Sequence, residues 1–239
     1  MLSAEAFRKP LIWLSLFSIS MGYLESSVVV YLREISYPAG FDFPLVPIEK
    51  GLGITEILRE ASTLIMLLAA GYMGGRNTVE RFAWFLYCFA LWDIFYYLFL
   101  KMLIGWPQSL FTWDILFLIP VAWTGPVIAP LITSLTMLLL AFILLYFSVR
   151  QEKPLQIRPP EWAFLIAGSL VMILAFIWDY CSYVLHALRT MGGTFEMAHN
   201  QFIYQYIPDR FNWLLFAVAE IILFAGLFLI WKQYHGLRD

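Results

Sequence analysis

Charge is scarce in this 239-residue chain, where Asp, Glu, Lys and Arg together make up 13%. Side chains that usually carry metal and redox chemistry are scarcer, at two cysteines and three histidines. Cys88 and Cys181 fall inside apolar runs at different depths, so they read as neither a disulfide nor a metal knuckle. His-Glu-x-x-His, the common helical zinc-protease signature, is absent, as are the Gly-x-Ser-x-Gly elbow, the P-loop and the dinucleotide fingerprint. Bis-histidine haem would need two histidines at matching depth, and only His186 lies in an apolar run. No basic patch strong enough for nucleic acid occurs, and the formal net charge is −2. The motifs of intramembrane proteases, prenyl transferases and ceramidase-like hydrolases are also missing.

What fills the space is apolar side chain: 62% of the residues are hydrophobic and 18% aromatic, and the mean hydropathy is +0.76. No soluble domain of this length needs so much. Crossing the hydrocarbon of a bilayer takes about 20 predominantly apolar residues. Six stretches meet that need, roughly at 11–32, 54–73, 82–104, 128–149, 162–187 and 211–231. The expectation is an all-α polytopic membrane protein, a single domain over residues 1–239 with six transmembrane helices. Ser18, Gly22 and Ser26 put small residues on one face of the first stretch, as packed membrane helices do, so it reads as a retained helix and not as a cleaved signal.

Basic residues near the helix ends set the orientation. Nine of the fifteen (Arg8, Lys9, Arg76, Arg81, Arg150, Lys153, Arg158, Lys232 and Arg238) fall at the termini or in the second and fourth loops. These segments are short, which is where the rule holds best, so both termini are expected in the cytoplasm. The inner half of every apolar stretch lacks an acidic or basic residue, whereas twelve of the seventeen acidic residues lie in outer loops or in the outer half or middle of the helices. Chemistry placed this way works at one face of a membrane. The inner membrane of a bacterium suits a compact chain with no obvious organelle-targeting extension.

The outer loops are too apolar to be plain linkers. Residues 36–53 hold Pro38, Pro44 and Pro47 among Phe41, Phe43 and Leu45, and are expected to lie in the interface. Residues 105–127 carry Pro107, Pro120 and Pro126, and their apolar run at 115–120 is too short to cross a bilayer. A re-entrant or interfacial segment between helices 3 and 4 is therefore expected. The third outer loop, residues 189–210, carries Gly192, Gly193, His199 and the aromatics Phe202, Tyr204 and Tyr206.

An ionisable side chain in hydrocarbon costs a few kcal/mol even on the gentler scales, so each one inside a span is a functional candidate. Glu25 lies in the outer part of helix 1, and helix 2 opens with Glu56, Arg59 and Glu60, whose spacing sets two carboxylates on one face beside the arginine. Asp93 stands near the middle of helix 3, followed at four-residue steps by Tyr97 and Lys101. Helix 5 carries Asp179, Ser182, Tyr183, His186 and Arg189 along one stripe, and Asp209, Arg210 and Glu220 mark helix 6. A Trp-Asp pair recurs at Trp92-Asp93, Trp113-Asp114 and Trp178-Asp179. Ser182, His186 and Asp179 have the letters of a triad, but Asp179 and His186 are about 10 Å apart along one helix axis, which forbids it.

If these stripes face one another, they enclose a single polar cavity open to the outer face. The leading expectation is an enzyme acting there on a lipid or lipid-linked substrate by acid–base chemistry. Asp93, Asp179, Glu60, Glu25 and His186 are its candidate proton-transfer groups, and Arg59, Lys101 and Arg189 would hold an anionic head group. Tyr97, Tyr183, Trp113, Asp114 and Glu220 would complete the substrate site. The alternative is a non-catalytic membrane subunit or binding protein whose cavity docks a partner, pigment or quinone, with the buried charges fixing helix register. A proton pump is disfavoured, because no polar relay crosses the inner halves. A metal held by carboxylates with His186 or His199 stays open, and no cofactor is specified.

Overall fold

The structure is a computed structural model that describes residues 4–37, 40–47, 50–151, 154–191 and 203–235. Pro38, Lys153, Gly192, Gly193, His199, Phe202 and Arg238 therefore lie outside the described residues. Each of the six apolar stretches forms the body of one helix: α1 (Ala4–Ser36), α2 (Lys50–Gly74), α3 (Thr78–Ile104), α4 (Ile128–Arg150), α5 (Pro159–Met191) and α6 (Trp213–His235). A hairpin of β1 (Trp113–Phe117) and β2 (Trp123–Pro126) stands between α3 and α4, and a 3-10 turn at Ile203–Gln205 precedes α6.

Local signals set the ends of α3. Asn77 caps its start, accepting from the Glu80 amide at 3.0 Å. Gly105 ends it in the left-handed region (φ 69°), which costs a glycine no Cβ clash, and its N–H closes the last turn on the Lys101 carbonyl. The turn before α3 is fastened as well. Glu80 accepts from the Arg76 backbone and guanidinium at 2.6–3.0 Å and from the Ser148 hydroxyl on α4.

Five helices, α1, α3, α4, α5 and α6, are long and apolar enough to cross a membrane. The sixth, α2, is set apart by Lys50, Glu56, Arg59 and Glu60 in its first three turns. All six turn large apolar side chains outward, among them Trp13, Leu24, Ile65, Met73, Leu98, Leu135, Leu170, Leu214 and Ile221.

α3 is the hub. It packs on α1, α2 and α4, while α6 joins α4 to α5. α1 runs parallel to α3, with Ser15 bonded to Tyr87 near one end (2.6 Å) and Ser26 to the Tyr96 carbonyl further along (3.0 Å). The small face expected on α1 sits at this crossing: a Cβ on Gly22 would meet the Trp92 carbonyl at 3.0 Å. Between them α2 returns the chain in the opposite direction, from Arg59 beside Glu25 to Gly74 beside Leu14 and Trp84. Gly71 makes its closest approach to α3, where an added Cβ would lie 2.6 Å from the Phe85 nitrogen.

The segment expected to be re-entrant or interfacial is the β-hairpin. A non-helical stretch between membrane helices must pair its backbone polar groups, and here the two strands pair with each other. Trp113 lies opposite Pro126, Asp114 opposite Gly125 and Ile115 opposite Thr124, with an irregularity before Phe117 meets Trp123. The hairpin closes one end of the helix bundle. Its tip is tied to α2 through the Leu118 N–H, which donates to both oxygens of Glu60 (2.9 and 3.1 Å), and Ala122 packs against Tyr180 and Val184 of α5.

Candidate functional site

Beneath the hairpin lies a cavity of about 450 Å³. α3 and α4 form its floor, with α2 on one flank and α5 on the other. Its far end is apolar, lined by Phe82, Leu86, Leu140, Leu165, Leu223 and Leu227. There the rings of Phe82 and Trp162 meet at 5.1 Å and join α3 to α5. Much of the remaining wall is aromatic. Phe85, Phe89, Trp92, Phe117, Trp123 and Phe176 follow one another at centroid distances of 5.3–6.3 Å, ending with Trp123 stacked on Phe176. Charge is confined to the hairpin end, where Glu25, Arg59, Glu60 and Asp93 contribute to the lining.

Those four groups are not equivalent. Arg59 bonds Glu25 of α1 through one nitrogen and Glu56 through another (2.8 Å), so its charge is already matched within the fold. Glu25 also accepts from Thr63 at 3.4 Å. Glu60 holds the hairpin tip. Asp93 has a single protein partner among the described residues, the Ser134 hydroxyl of α4, which donates to one of its oxygens at 2.7 Å. Among the described residues no cation pairs with Asp93, and its side chain is half-buried because it faces the cavity.

The single cavity expected from the polar stripes divides into separate groups. Glu25, Arg59, Glu60, Asp93 and Tyr97 line the cavity together, and the other candidates do not. Asp114 is fully engaged beside it. It accepts from the Tyr97 hydroxyl at 3.1 Å and pairs with Arg33 at 3.5 Å, while the Arg33 guanidinium lies over Trp106 at 3.8 Å and Phe41 at 4.4 Å. Burial pushes the Asp114 carboxyl up to about 6, against the opposing pull of Arg33 and the Tyr97 hydroxyl. Trp113 faces a smaller outer pocket of about 190 Å³, shared with Phe41, Phe43 and Trp106.

Asp179 is a loop anchor. It accepts from the Tyr206 hydroxyl at 2.6 Å and from the amides of Asp209 and Arg210 at 3.3 and 3.4 Å. Tyr206 also contacts Thr124 of the hairpin at 2.9 Å, and Tyr183 packs its ring on Tyr206 at 5.4 Å. His186 and Arg189 are exposed on the last turns of α5. Lys101, expected to hold an anionic head group, is also exposed and donates to the carbonyls of Gly105 and Pro107 at 3.0 and 2.8 Å. Glu220 is buried between α6 and α4, accepting from Thr136 at 2.8 Å, with its other oxygen unpartnered among the described residues. The three Trp-Asp pairs thus occupy three different settings. Among the described residues, no three His, Cys, Asp or Glu side chains gather as a metal ligand set.

Several participants escaped the sequence reading. Ser134 carried a signal, since Thr133, Ser134 and Thr136 interrupt the long apolar run of α4. Phe117, Trp123 and the Leu118 amide carried none, because their role depends on the hairpin. Comparison of the chain with protein-family models, curated proteins and solved structures finds no match. The class is defined by the fold. Five helices fit to span, with apolar side chains on their outer faces and polar groups sequestered within or at the ends, make this a helical multi-pass membrane protein.

Proposed function

We propose that the cavity receives the apolar body of a lipid or lipid-linked molecule and presents its polar group to Asp93. The observation that carries this reading is the division of one cavity into an aromatic and aliphatic length and a charged end in which a carboxylate keeps an open oxygen. Membrane proteins place unpaired intramembrane carboxylates at sites of function, since the desolvation cost must be offset by something gained. Entry from the bilayer between α2 and α5 fits the lining, because α2 contributes only Arg59, Glu60 and Thr63 and shares no extended packing with α5.

In this reading the chain crosses the membrane six times. α2 is the sixth crossing, because it returns the chain between two parallel helices and its 25 residues rise about 37 Å. Both termini lie on the cytoplasmic side, as the placement of Arg8, Lys9, Arg76, Arg81, Arg150, Arg158 and Lys232 favours, and a bacterial inner membrane is the proposed location. The charged end of the cavity then lies toward the outer leaflet, and its apolar end reaches toward the cytoplasmic ends of α3 and α5. An anionic head group is not retained in the proposal, since Lys101 and Arg189 lie off the cavity and Arg59 is matched by two carboxylates.

The enzyme reading is favoured over a passive carrier by one feature, the open oxygen of Asp93 beside the bound group, where it can accept or return a proton. Extraction and mass analysis of the amphiphile that copurifies with the wild type and with Asp93→Asn separates the two. An enzyme leaves a different molecule in the variant, the unreacted substrate. A carrier leaves the same molecule at lower occupancy. If both proteins purify with an empty cavity from a mild detergent, the ligand reading fails.

A further inference from the structure

We infer that the occupant of this cavity is a single-chain amphiphile whose head is an uncharged or cationic hydrogen-bond donor, an alcohol or an amine, and that anionic lipids are rejected. The inference rests on the amphiphile reading and adds the chemistry of the head.

Charge decides it. The lining carries three carboxylates, Glu25, Glu60 and Asp93, against one guanidinium among the described residues, and that guanidinium is spent on Glu25 and Glu56. A phosphate or carboxylate head would enter a low-dielectric space lined by carboxyl groups, with no free cation among the described residues to meet it, and its charge would be left unpaired. A hydroxyl or ammonium meets the opposite situation. Asp93 is an acceptor with one oxygen taken by Ser134 and the other open to the cavity, which a donor on the ligand would satisfy.

Size limits the body. At the ~30 Å³ that a water-sized group occupies in a liquid, the cavity holds on the order of 15 non-hydrogen atoms. That is one short chain and excludes both tails of a diacyl phospholipid. The aromatic wall from Phe85 to Phe176 favours a chain with flat, unsaturated segments, which pack on ring faces with little loss of rotamer freedom.

The test holds the chain constant and changes the head. Farnesol, farnesylamine and farnesyl monophosphate are titrated separately into the full-length protein in nanodiscs of uncharged lipid, with occupancy read by native mass spectrometry. Farnesol or farnesylamine is expected to bind about tenfold or more tightly than the phosphate, the equivalent of one full step in the affinity scale. In Asp93→Asn the amine should lose about that same factor, while the phosphate should gain. Phosphate binding equal to or tighter than the alcohol and the amine would overturn the head-group inference while leaving the cavity as a lipid site. Binding by none of the three would instead remove the amphiphile reading itself. Met137→Trp, which fills the floor, checks the location: unchanged binding in that variant places the ligand elsewhere and overturns both.

Discussion

At the residue scale, carboxylates that look alike in the chain take opposite roles according to what reaches them. Asp179 accepts three hydrogen bonds from residues 206–210 and has no share in the cavity, whereas Asp93 accepts one and faces it. Asp179→Ala should therefore loosen the loop and lower stability by about 1 kcal/mol through loss of the acceptor shared by the Tyr206 hydroxyl, which keeps Thr124, and two exposed amides, with ligand occupancy little changed. Asp93→Asn should do the reverse, and melting curves beside native mass spectra read both. Asp114 gives a pH signature. Its carboxyl stands at about 6 in the folded protein against an ordinary 3.8, so between those values the folded state holds a proton that the unfolded state has lost. Stability contributed by this group falls as pH rises from roughly 4 to 6 and is flat above. Relative to Asp114→Asn, which cannot titrate, the wild type should gain melting temperature on acidification across that window; a constant difference would show that Asp114 does not titrate there.

At the element scale, the hairpin stays over the cavity because α2 and α5 hold it from two sides. Removing the α2 side with Glu60→Ala leaves the Leu118 amide without its acceptor. Faster hydrogen exchange at residues 115–122 should follow, and Glu60→Gln, which keeps an acceptor oxygen, should recover most of the protection. The α2–α3 contact is as demanding. Gly71→Ala would drive a methyl to within 2.6 Å of backbone, which neither helix can yield without separating, and should cost about 1–3 kcal/mol in detergent-solubilised protein. Helix positions were legible from apolar run length, and the α1 crossing from the Ser18, Gly22, Ser26 spacing. The hairpin was not: two strands of five and four residues carry too little alternation to separate from an interfacial coil, and prolines at 107, 120 and 126 suit either.

At the scale of the whole molecule, the proposed six crossings make a direct prediction about sidedness. In a background freed of Cys88 and Cys181, single cysteines at Gly51→Cys and Ser109→Cys should label from the face opposite to Thr78→Cys and Arg158→Cys with a membrane-impermeant reagent. Labelling of Gly51→Cys and Thr78→Cys from the same face would make α2 a surface helix and the chain a five-span protein. The candidate site was only half legible at this scale. Helical spacing assigned Glu25, Arg59, Glu60 and Asp93 to polar stripes, but a stripe gives the angle of a side chain on its own helix and not the helix it meets.

Composition and the placement of charge were enough, on their own, to specify membrane helices, their approximate limits and the gathering of charged side chains away from the helices' inner halves, because burial of apolar length in lipid depends on local sequence alone. Which carboxylate pairs with Arg59, which anchors a loop and which is left facing an aromatic cavity were decided by helix packing around α3 and by the hairpin between α2 and α5. Those outcomes hang on contacts between residues dozens of positions apart, Glu25 with Arg59 and Asp93 with Ser134 among them, whose energies exist only once the helices have been brought side by side.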